Sequence, residues 1–440
     1  MRNQNNPLVS IVVACLNSEK YIFDCLKSIQ QQSLKEIEVI CVDAGSTDDT
    51  REIIMTFMDN DPRFSLLLSE KKSYGYQMNV GIEKANGIYI GIVESDDLIQ
   101  RDMFEDLYYC AERQGVDFVK SNYLRMVGNG TEVRLLEQRL SLNMSSYNRC
   151  IYPMDEIDCF NYPLNSWTGI YRRDFLINNQ IRHNESPGAS FQDTGFTLLC
   201  FLYAQKVFFI DRAYYMVRRD NSHSSIRDEN KVYAICDEHD YVWNAVSKNE
   251  PLFEKSKKLL VSRRFASYFG SYLRIPKESL YDFTKRLKCE FRVFEDQELI
   301  SETVFGSVYY DYLQMFLSNR EKNYLLYLDS MQSLFKRIKH SDDIIIYGNG
   351  KVSNQMITEL MSLGLVTTSF RCAVTKIDRH YELFADIPVY EISELVHMKD
   401  SALVIIAVGE AHQEEIKKTL KEYKFRDVVT YPRYISNHKR

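Results

Sequence analysis

Residues 87–99 read GIYIGIVESDDLI. Ile88, Ile90 and Ile92 fall on one face of an extended chain, and Tyr89, Gly91 and Val93 fall on the other. Neither face is polar, as in a strand covered on both sides. The run stops abruptly at Glu94-Ser95-Asp96-Asp97. Carboxylates crowded at the end of a buried strand repel one another and resist leaving water. Such a strand belongs to a parallel sheet, and its acids need a use.

Upstream, the same pattern repeats. "PLVSIVVACLN" and "IEVICVDAGS" are short continuous apolar runs, and "FSLLLSE" is a third. Helix-like segments separate them: "NSEKYIFDCLKSIQQQS", with Asn17 or Ser18 as its cap, "STDDTREIIMTFMDND", with Ser46 and Thr47 at its start, and "YQMNVGIEKANG". This alternation predicts an α/β unit with a mostly parallel sheet. Downstream, "DMFEDLYYCAERQG" reads as a helix ending at Gly115 and "VDFVKSNYLRMV" as a strand. Residues 226–340 are helical in pattern, and "HSDDIIIYGNGK" opens a second α/β segment. We therefore expect three parts, residues 1–225, 226–340 and 341–440.

Composition narrows the function. The chain has 440 residues, 45% hydrophobic and 26% charged, with a net charge of −6 that argues against a general nucleic-acid binder. Its 10 cysteines show no zinc-like spacing and sit among apolar residues, as reduced buried thiols do. "MRNQNNPLV" has no apolar secretion segment, and no apolar run approaches the ~20 residues that span a bilayer. A cytoplasmic protein is expected, with any membrane contact peripheral. Lys255, Lys257, Lys258, Arg263 and Arg264 form a basic helical stretch that suits either an anionic membrane surface or an ordinary solvated face.

In an open parallel sheet, ligands bind at the carboxyl ends of the strands. Asn17, Asp43, the Lys71–Asn79 segment and Glu94–Asp97 all fall at such ends. The acidic turn fits two uses. Its oxygens suit Mg²⁺ or Mn²⁺, which commonly bind through one or two carboxylates and substrate phosphates. Alternatively, Ser95 or Asp96 caps a helix in "SDDLIQRDMFEDL". Asp193 faces the same choice between catalysis and capping "TGFTLLCFLYA". The polar stretch "RHNESPGAS" before it reads as a mobile loop, and Gly75-Tyr76 as a hinge or a turn. Trp167 suits stacking on an acceptor sugar or a place in the core, and His223 a metal or solvent.

Taken together, "VSIVVACLNSEKYI", "VICVDAGSTDDT", "GYQMNVGIEKANGIYIGIVESDD" and "SFQDTGF" occur in the order seen in glycosyltransferase family 2. The chain resembles that family over residues 8–225, and is similar in particular to bacterial enzymes that build surface polysaccharides. The resemblance implies a GT-A fold and inverting transfer from a nucleotide-sugar, UDP-linked, to a glycan or lipid-linked acceptor. It implies that Ala14 and Asn17 border the nucleobase and that Asp43 accepts a hydrogen bond from it. Gly75 and Asn79 would lie near the nucleotide. Glu94-Ser95-Asp96 would be the family's D-x-D motif, with Asp96 and Asp97 on Mg²⁺ or Mn²⁺. Asp193 would be the general base, and Arg218 and Arg219 would meet the diphosphate.

Three positions depart from the pattern: Cys15-Leu16 where Pro-Tyr is frequent, Ala44 for a second acid, and Glu94 for the first acid of D-x-D. They keep a non-catalytic binding or scaffold protein of the same fold as the alternative. A sugar-nucleotidyltransferase would want a glycine-rich basic loop after the first strand, and "ACLNSEKYI" has none. At the carboxyl end, Gly348-Asn349-Gly350 resembles the start of a Rossmann-type domain. Ser353 occupies its third glycine position and no acid sits at the end of "FRCAV", where Thr375 and Lys376 follow, so an accessory module for assembly or docking is expected there.

Overall fold

A computed structural model describes residues 7–127, 133–141, 143–218, 231–272, 275–318, 321–362, 370–377, 383–384 and 387–432. The alternating apolar runs form β1 (Val9–Cys15), β2 (Ile37–Asp43), β3 (Phe64–Leu68) and β4 (Tyr89–Ile92). These four are parallel, in the order β3-β2-β1-β4. Their carboxyl ends therefore share one edge. Every residue of β1 is buried, which is why it reads as an unbroken apolar run.

Helices α1 (Ile22–Gln30), α2 (Thr50–Asn60) and α3 (Tyr74–Lys84) connect these strands. Val9, Ile11 and Val13 pack with Ile22, Leu26 and Ile54 in one core cluster. On the other face α3 approaches β1 so closely that a Cβ on Gly81 would lie 2.3 Å from Val12 Cγ1. The chain continues through β5 (Leu98–Ile99), α4 (Met103–Gln114), β6 (Phe118–Val127), β7 (Arg134–Gln138), β8 (Cys150–Ile151), β9 (Gly169–Arg172), α5 (Arg173–Asn178), α6 (Gln192–Tyr203) and β10 (Val207–Arg218). These strands extend the sheet in the order β4-β9-β6-β10-β5, with β7 paired to β6 and β8 to β10. Next comes α7 (Ala234–Val246).

The chain divides into two compact units, residues 1–140 with 145–253, and residues 141–144 with 254–440. The second contains most of α8 (Glu250–Ser271), then α9 (Lys277–Asp296), α10 (Glu302–Leu317) and α11 (Glu321–His340). A smaller sheet follows, built from β11 (Ile344–Tyr347), α12 (Lys351–Ser362), β12 (Phe370–Val374), β13 (Leu383–Phe384), β14 (Ile387–Glu391), β15 (Leu403–Ile406), α13 (Glu410–Glu422) and β16 (Asp427–Thr430). Its order is β13-β14-β12-β11-β15-β16, all parallel except the β13 edge. Among the described residues no helix is long and apolar enough to cross a membrane.

Several local expectations need correction. α1 begins at Ile22 with Tyr21 at its cap position, because Asn17 takes a left-handed conformation (φ 50) and Ser18 is used elsewhere. α2 begins at Thr50, because Ser46 is committed to Asp43. No helix follows the acidic turn directly; β5 intervenes and α4 starts at Met103, so capping is not its use. The basic stretch of α8 is not one solvated face either. Arg263 and Arg264 are buried, and Arg264 pairs with Glu290.

Candidate active site

The carboxyl edge of the first sheet gathers the candidate residues. At its centre the turn 94–97 closes with the Asp97 N–H donating to the Glu94 carbonyl at 3.1 Å. Tyr74, the first residue of α3, donates its hydroxyl to Glu94 Oε1 at 2.6 Å. The Glu94 N–H donates to the Tyr215 hydroxyl of β10 at 2.9 Å. Ser95 and Ser18 share a hydroxyl hydrogen bond of 2.8 Å. Arg218, the last residue of β10, donates its backbone N–H to Asp97 Oδ1 at 2.7 Å and its Nε to the Asp96 carbonyl at 2.9 Å. Its guanidinium lies 5.0 Å from the centre of the Tyr21 ring. Asp97 is nearly inaccessible, whereas Glu94, Ser95 and Asp96 remain partly exposed.

Electrostatics express the crowding. Burial pushes the Glu94 carboxyl up to about 8; the Tyr74 hydrogen bond opposes this, and the charges of Asp96, Asp97 and Asp193 add to it. Asp193 is thus within electrostatic reach of the turn, although it lies 99 residues away in sequence (94 to 193). It is not the cap of α6: Phe191 occupies that position, and Asp193 Oδ1 accepts the Thr194 N–H at 2.9 Å. Phe191 has φ 62, a left-handed conformation that costs a bulky residue roughly 1–2 kcal/mol.

The segment before Asp193 is fastened rather than loose. Asn79 donates to the His183 carbonyl at 2.9 Å and accepts the His183 N–H at 2.9 Å. Gly188 exchanges backbone hydrogen bonds with Lys72 and Tyr74, and Gln192 Nε2 donates to Ser186 Oγ at 2.9 Å. Gly75 is required by this contact, because a Cβ there would lie 1.8 Å from the Asn184 carbonyl oxygen. Gly75 and Asn79 therefore hold the segment that leads to Asp193.

On the other flank, the loops after β1 and β2 are sewn together. The Asn17 N–H donates to Ser46 Oγ, and the Asn17 side-chain oxygen accepts the Thr47 N–H, both at 2.9 Å. Asp43 is fully buried. Its carboxylate accepts from the Gly45 and Ser46 N–H groups, the Ser46 hydroxyl, and Arg51 Nε at 2.6 Å. Burial works against its charge, but the Ser46 and Arg51 hydrogen bonds outweigh it and hold the carboxyl below its ordinary value. Ala14, next to the end of β1, is buried. Gln77 of α3 donates to the Cys15 and Val42 carbonyls at 3.0 and 2.6 Å, tying off β1 and β2.

Trp167 is half-buried, 4.5 Å from the Tyr215 ring and 5.0 Å from Tyr123. It braces the tyrosine that receives the Glu94 N–H. Arg219 and His223 lie outside the described residues. The structure thus brings Glu94, Ser95, Asp96, Asp97, Asp193 and Arg218 toward one edge, and gives Asp43, Gly75 and Asn79 structural partners. Sequence reasoning missed Tyr74, Tyr215, Arg51 and Gln77. Their only signal was position: Tyr74 directly follows the Ser73 cap of α3, and Tyr215 looks like any aromatic in an apolar strand.

Among the described residues no three His, Cys, Asp or Glu side chains are grouped to hold a metal. The donors present are hard oxygens on one turn, and they fit a cation that keeps most of its shell for a ligand.

Comparison with known proteins agrees with this architecture. Residues 10–190 match Glycosyl transferase family 2. Glycosyltransferase GlyG of Streptococcus pneumoniae is 31% identical over 230 residues, covering 50% of this chain and 74% of that protein. Uncharacterized glycosyltransferase EpsJ of Bacillus subtilis is 28% identical over 216 residues, covering 49% of this chain and 62% of its own. The crystal structure of S. aureus TarS 1–349 superposes with a TM-score of 0.55 at 20% identity, over 75% of this chain and 91% of the other. At 20% identity that likeness concerns the fold. The chain belongs to glycosyltransferase family 2, and is a transferase with a GT-A-type domain, a helical region and a smaller parallel α/β sheet at its carboxyl end.

Proposed function

We propose that this protein moves a sugar from a UDP-linked donor to a hydroxyl of a glycan or lipid-linked acceptor in bacterial surface polysaccharide synthesis, with inversion at the anomeric carbon. The observation that carries this reading is the convergence of the acidic turn, Arg218 and Asp193 at one sheet edge. The TarS fragment, similar in fold, is known in complex with UDP-GlcNAc, which supports the UDP assignment.

Ala14, Asn17 and Asp43 frame the nucleobase; Asp43 acts mainly by shaping the loop that its carboxylate organises. Asp96, at the rim of the turn, with Asp97 behind it, would hold Mg²⁺ or Mn²⁺. When bound, the cation offsets the negative charge that develops on the departing diphosphate. Arg218, already anchored to Asp96 and Asp97, presents its guanidinium to the same charge, and Arg219 follows it. Trp167 forms a wall of the acceptor side. Asp193 takes the proton of the acceptor hydroxyl as that oxygen attacks the anomeric carbon, and the bond to the diphosphate breaks on the opposite face.

Residues 1–225 would be the transferase domain, 226–340 a helical accessory region, and 341–440 a module for assembly. A cytoplasmic location with peripheral membrane contact suits a lipid-linked acceptor. The test is thermal melting with UDP-, GDP-, CDP- and dTDP-sugars, with and without Mn²⁺. A Mn²⁺-dependent rise with UDP-sugars, lost in Asp96→Ala, supports the site. No rise with any donor would favour the non-catalytic alternative.

A further inference from the structure

One buried side chain in the segment before Asp193 makes no polar use of its nitrogens. His183 is 1% exposed, and among the described residues neither of its ring nitrogens has a hydrogen-bond partner. Buried polar atoms are nearly always paired, so an imidazole left this way must serve through its ring. The ring makes two aromatic contacts. It stacks on Phe196 of α6, with centroids 4.0 Å apart and planes 5° from parallel. It also meets the Tyr74 ring of α3 edge to face, at 5.9 Å and 83°.

Nothing around the ring can easily give way. Asn79 grips the His183 N–H and carbonyl, and a Cβ on Gly75 would come within 3.2 Å of the His183 Cβ. Phe196 is fully buried and rests on Tyr171 of β9 at 5.2 Å. Both ring contacts lead to the catalytic edge. Tyr74 is the residue whose hydroxyl donates to Glu94 at 2.6 Å, and Phe196 follows Asp193 by about one turn on the same side of α6 (193 to 196). The His183 ring is therefore the packed link between the residue that holds the acidic turn and the helix that carries Asp193. Close-packed rings resist approach and lose contact energy on separation, so such a link fixes a spacing.

We propose that His183 is a positioning residue: as an aromatic wedge between Tyr74 and Phe196, it sets the spacing between the acidic turn, where the donor's diphosphate would sit, and Asp193. This rests on Asp193 being the base. The wedge acts through Tyr74 and α6 and touches neither donor nor acceptor, so its loss should slow the chemical step and leave donor binding in place.

The test reads kcat as UDP release, with water as acceptor, from whichever UDP-sugar raises the melting temperature. His183→Leu keeps an apolar side chain but loses both ring contacts. Its kcat should fall about 100-fold, the loss that a displacement of about 1 Å can cause, with the donor-induced rise in melting temperature retained. A variant that melts earlier yet turns over at the parental rate while folded would mean packing alone and overturn the proposal. His183→Phe keeps the ring and removes the unpaired nitrogens, so kcat should return to within about threefold of the parent. A loss as large as that of His183→Leu would assign the role to a nitrogen and overturn the wedge, and this arm decides the matter even if His183→Leu does not fold. Tyr74→Phe removes only the hydroxyl on Glu94. Combined with His183→Leu, it should cost less than the product of the two single losses, because both act through one contact. A full product would show that His183 does not act through Tyr74. Turnover that survives Asp193→Asn sinks the base assignment itself, whereas an inactive Asp193→Asn beside an unimpaired His183→Leu sinks only the role of His183.

Discussion

At the carboxyl end of β4 the chain turns through Glu94-Ser95-Asp96-Asp97, and at the carboxyl end of β11 through Gly348-Asn349-Gly350. Both turns leave a parallel strand at the same kind of sheet edge. The first is dense with side-chain chemistry: Tyr74, Tyr215, Ser18 and Arg218 all bond to it. The second is made by backbone. Gly348 has φ 125, and a Cβ there would lie 2.7 Å from the Ala407 carbonyl oxygen, whereas Cβ atoms at Gly350 and Gly409 would meet nothing within 4 Å. A parallel sheet offers an edge where a ligand can sit, but side chains decide whether that edge does chemistry.

The comparison can be broken most forcefully at Asp193. Asp193→Asn should lower kcat by about 10²- to 10⁴-fold while leaving the donor-induced rise in melting temperature intact. Loss of donor affinity would assign the residue to binding instead. Next in size is Asp96→Ala. With donor at 100 times its Kd, the parent should gain about 2.7 kcal/mol in stability in the presence of Mn²⁺, and the variant should lose most of it, read by melting.

The carboxyl-terminal turn predicts a different pattern. Gly348→Ala should destabilise the fold by about 1–3 kcal/mol in denaturant titration, because its backbone conformation and its neighbour both refuse a Cβ. Gly350→Ala should stay within about 0.5 kcal/mol of the parent. Neither should alter donor binding. If Gly350→Ala abolished transfer, the contrast between the two edges would fail.

A smaller effect concerns a buried acid within electrostatic reach of Asp193. Glu238 of α7 is buried, its Oε1 accepting from Asn184 at 2.8 Å and its Oε2 2.4 Å from where a Gly195 Cβ would lie. Burial pushes its carboxyl up to about 8, against the Asn184 hydrogen bond and with help from the charges of Asp193 and Asp237. A carboxyl raised in the folded state stabilises it fully below the unfolded value near 4.5. That contribution is lost as pH climbs from there through about 8. Glu238→Gln should therefore match the parent near pH 4 and exceed it at pH 8 by at least about 1 kcal/mol, since a tenfold difference in proton affinity between the folded and unfolded chain is worth about 1.4 kcal/mol. Equal stability at both pH values would remove Glu238 from the account.

Much of this architecture was legible. Buried parallel strands announce themselves as unbroken apolar runs, and β1, β2 and β4 lie where those runs are. Gly115 ends α4 in the left-handed conformation, as its place after an amphipathic helix implies. Helix starts were less legible, because polar residues have two uses. Ser46 looked like a cap for α2 and instead serves Asp43. Asn79, expected near the nucleotide, was not legible as the residue that grips the His183 backbone. Hydrogen bonds between residues a hundred positions apart leave no local pattern to read.

By itself, the sequence determined the strand–helix order, the sheet edge where polar residues collect, and the chemical character of Glu94, Asp96, Asp97 and Asp193. Those properties follow from local periodicity and side-chain type, which every residue carries with it. Only the tertiary structure decided which of them meet. It brought Arg218 to Asp96 and Asp97, set Tyr74 on Glu94, closed Asp43 into its own loop, and buried Lys120 against Asn165. The physical reason is that charge and hydrogen bonding act over a few ångströms of space, and distance along the chain does not measure that.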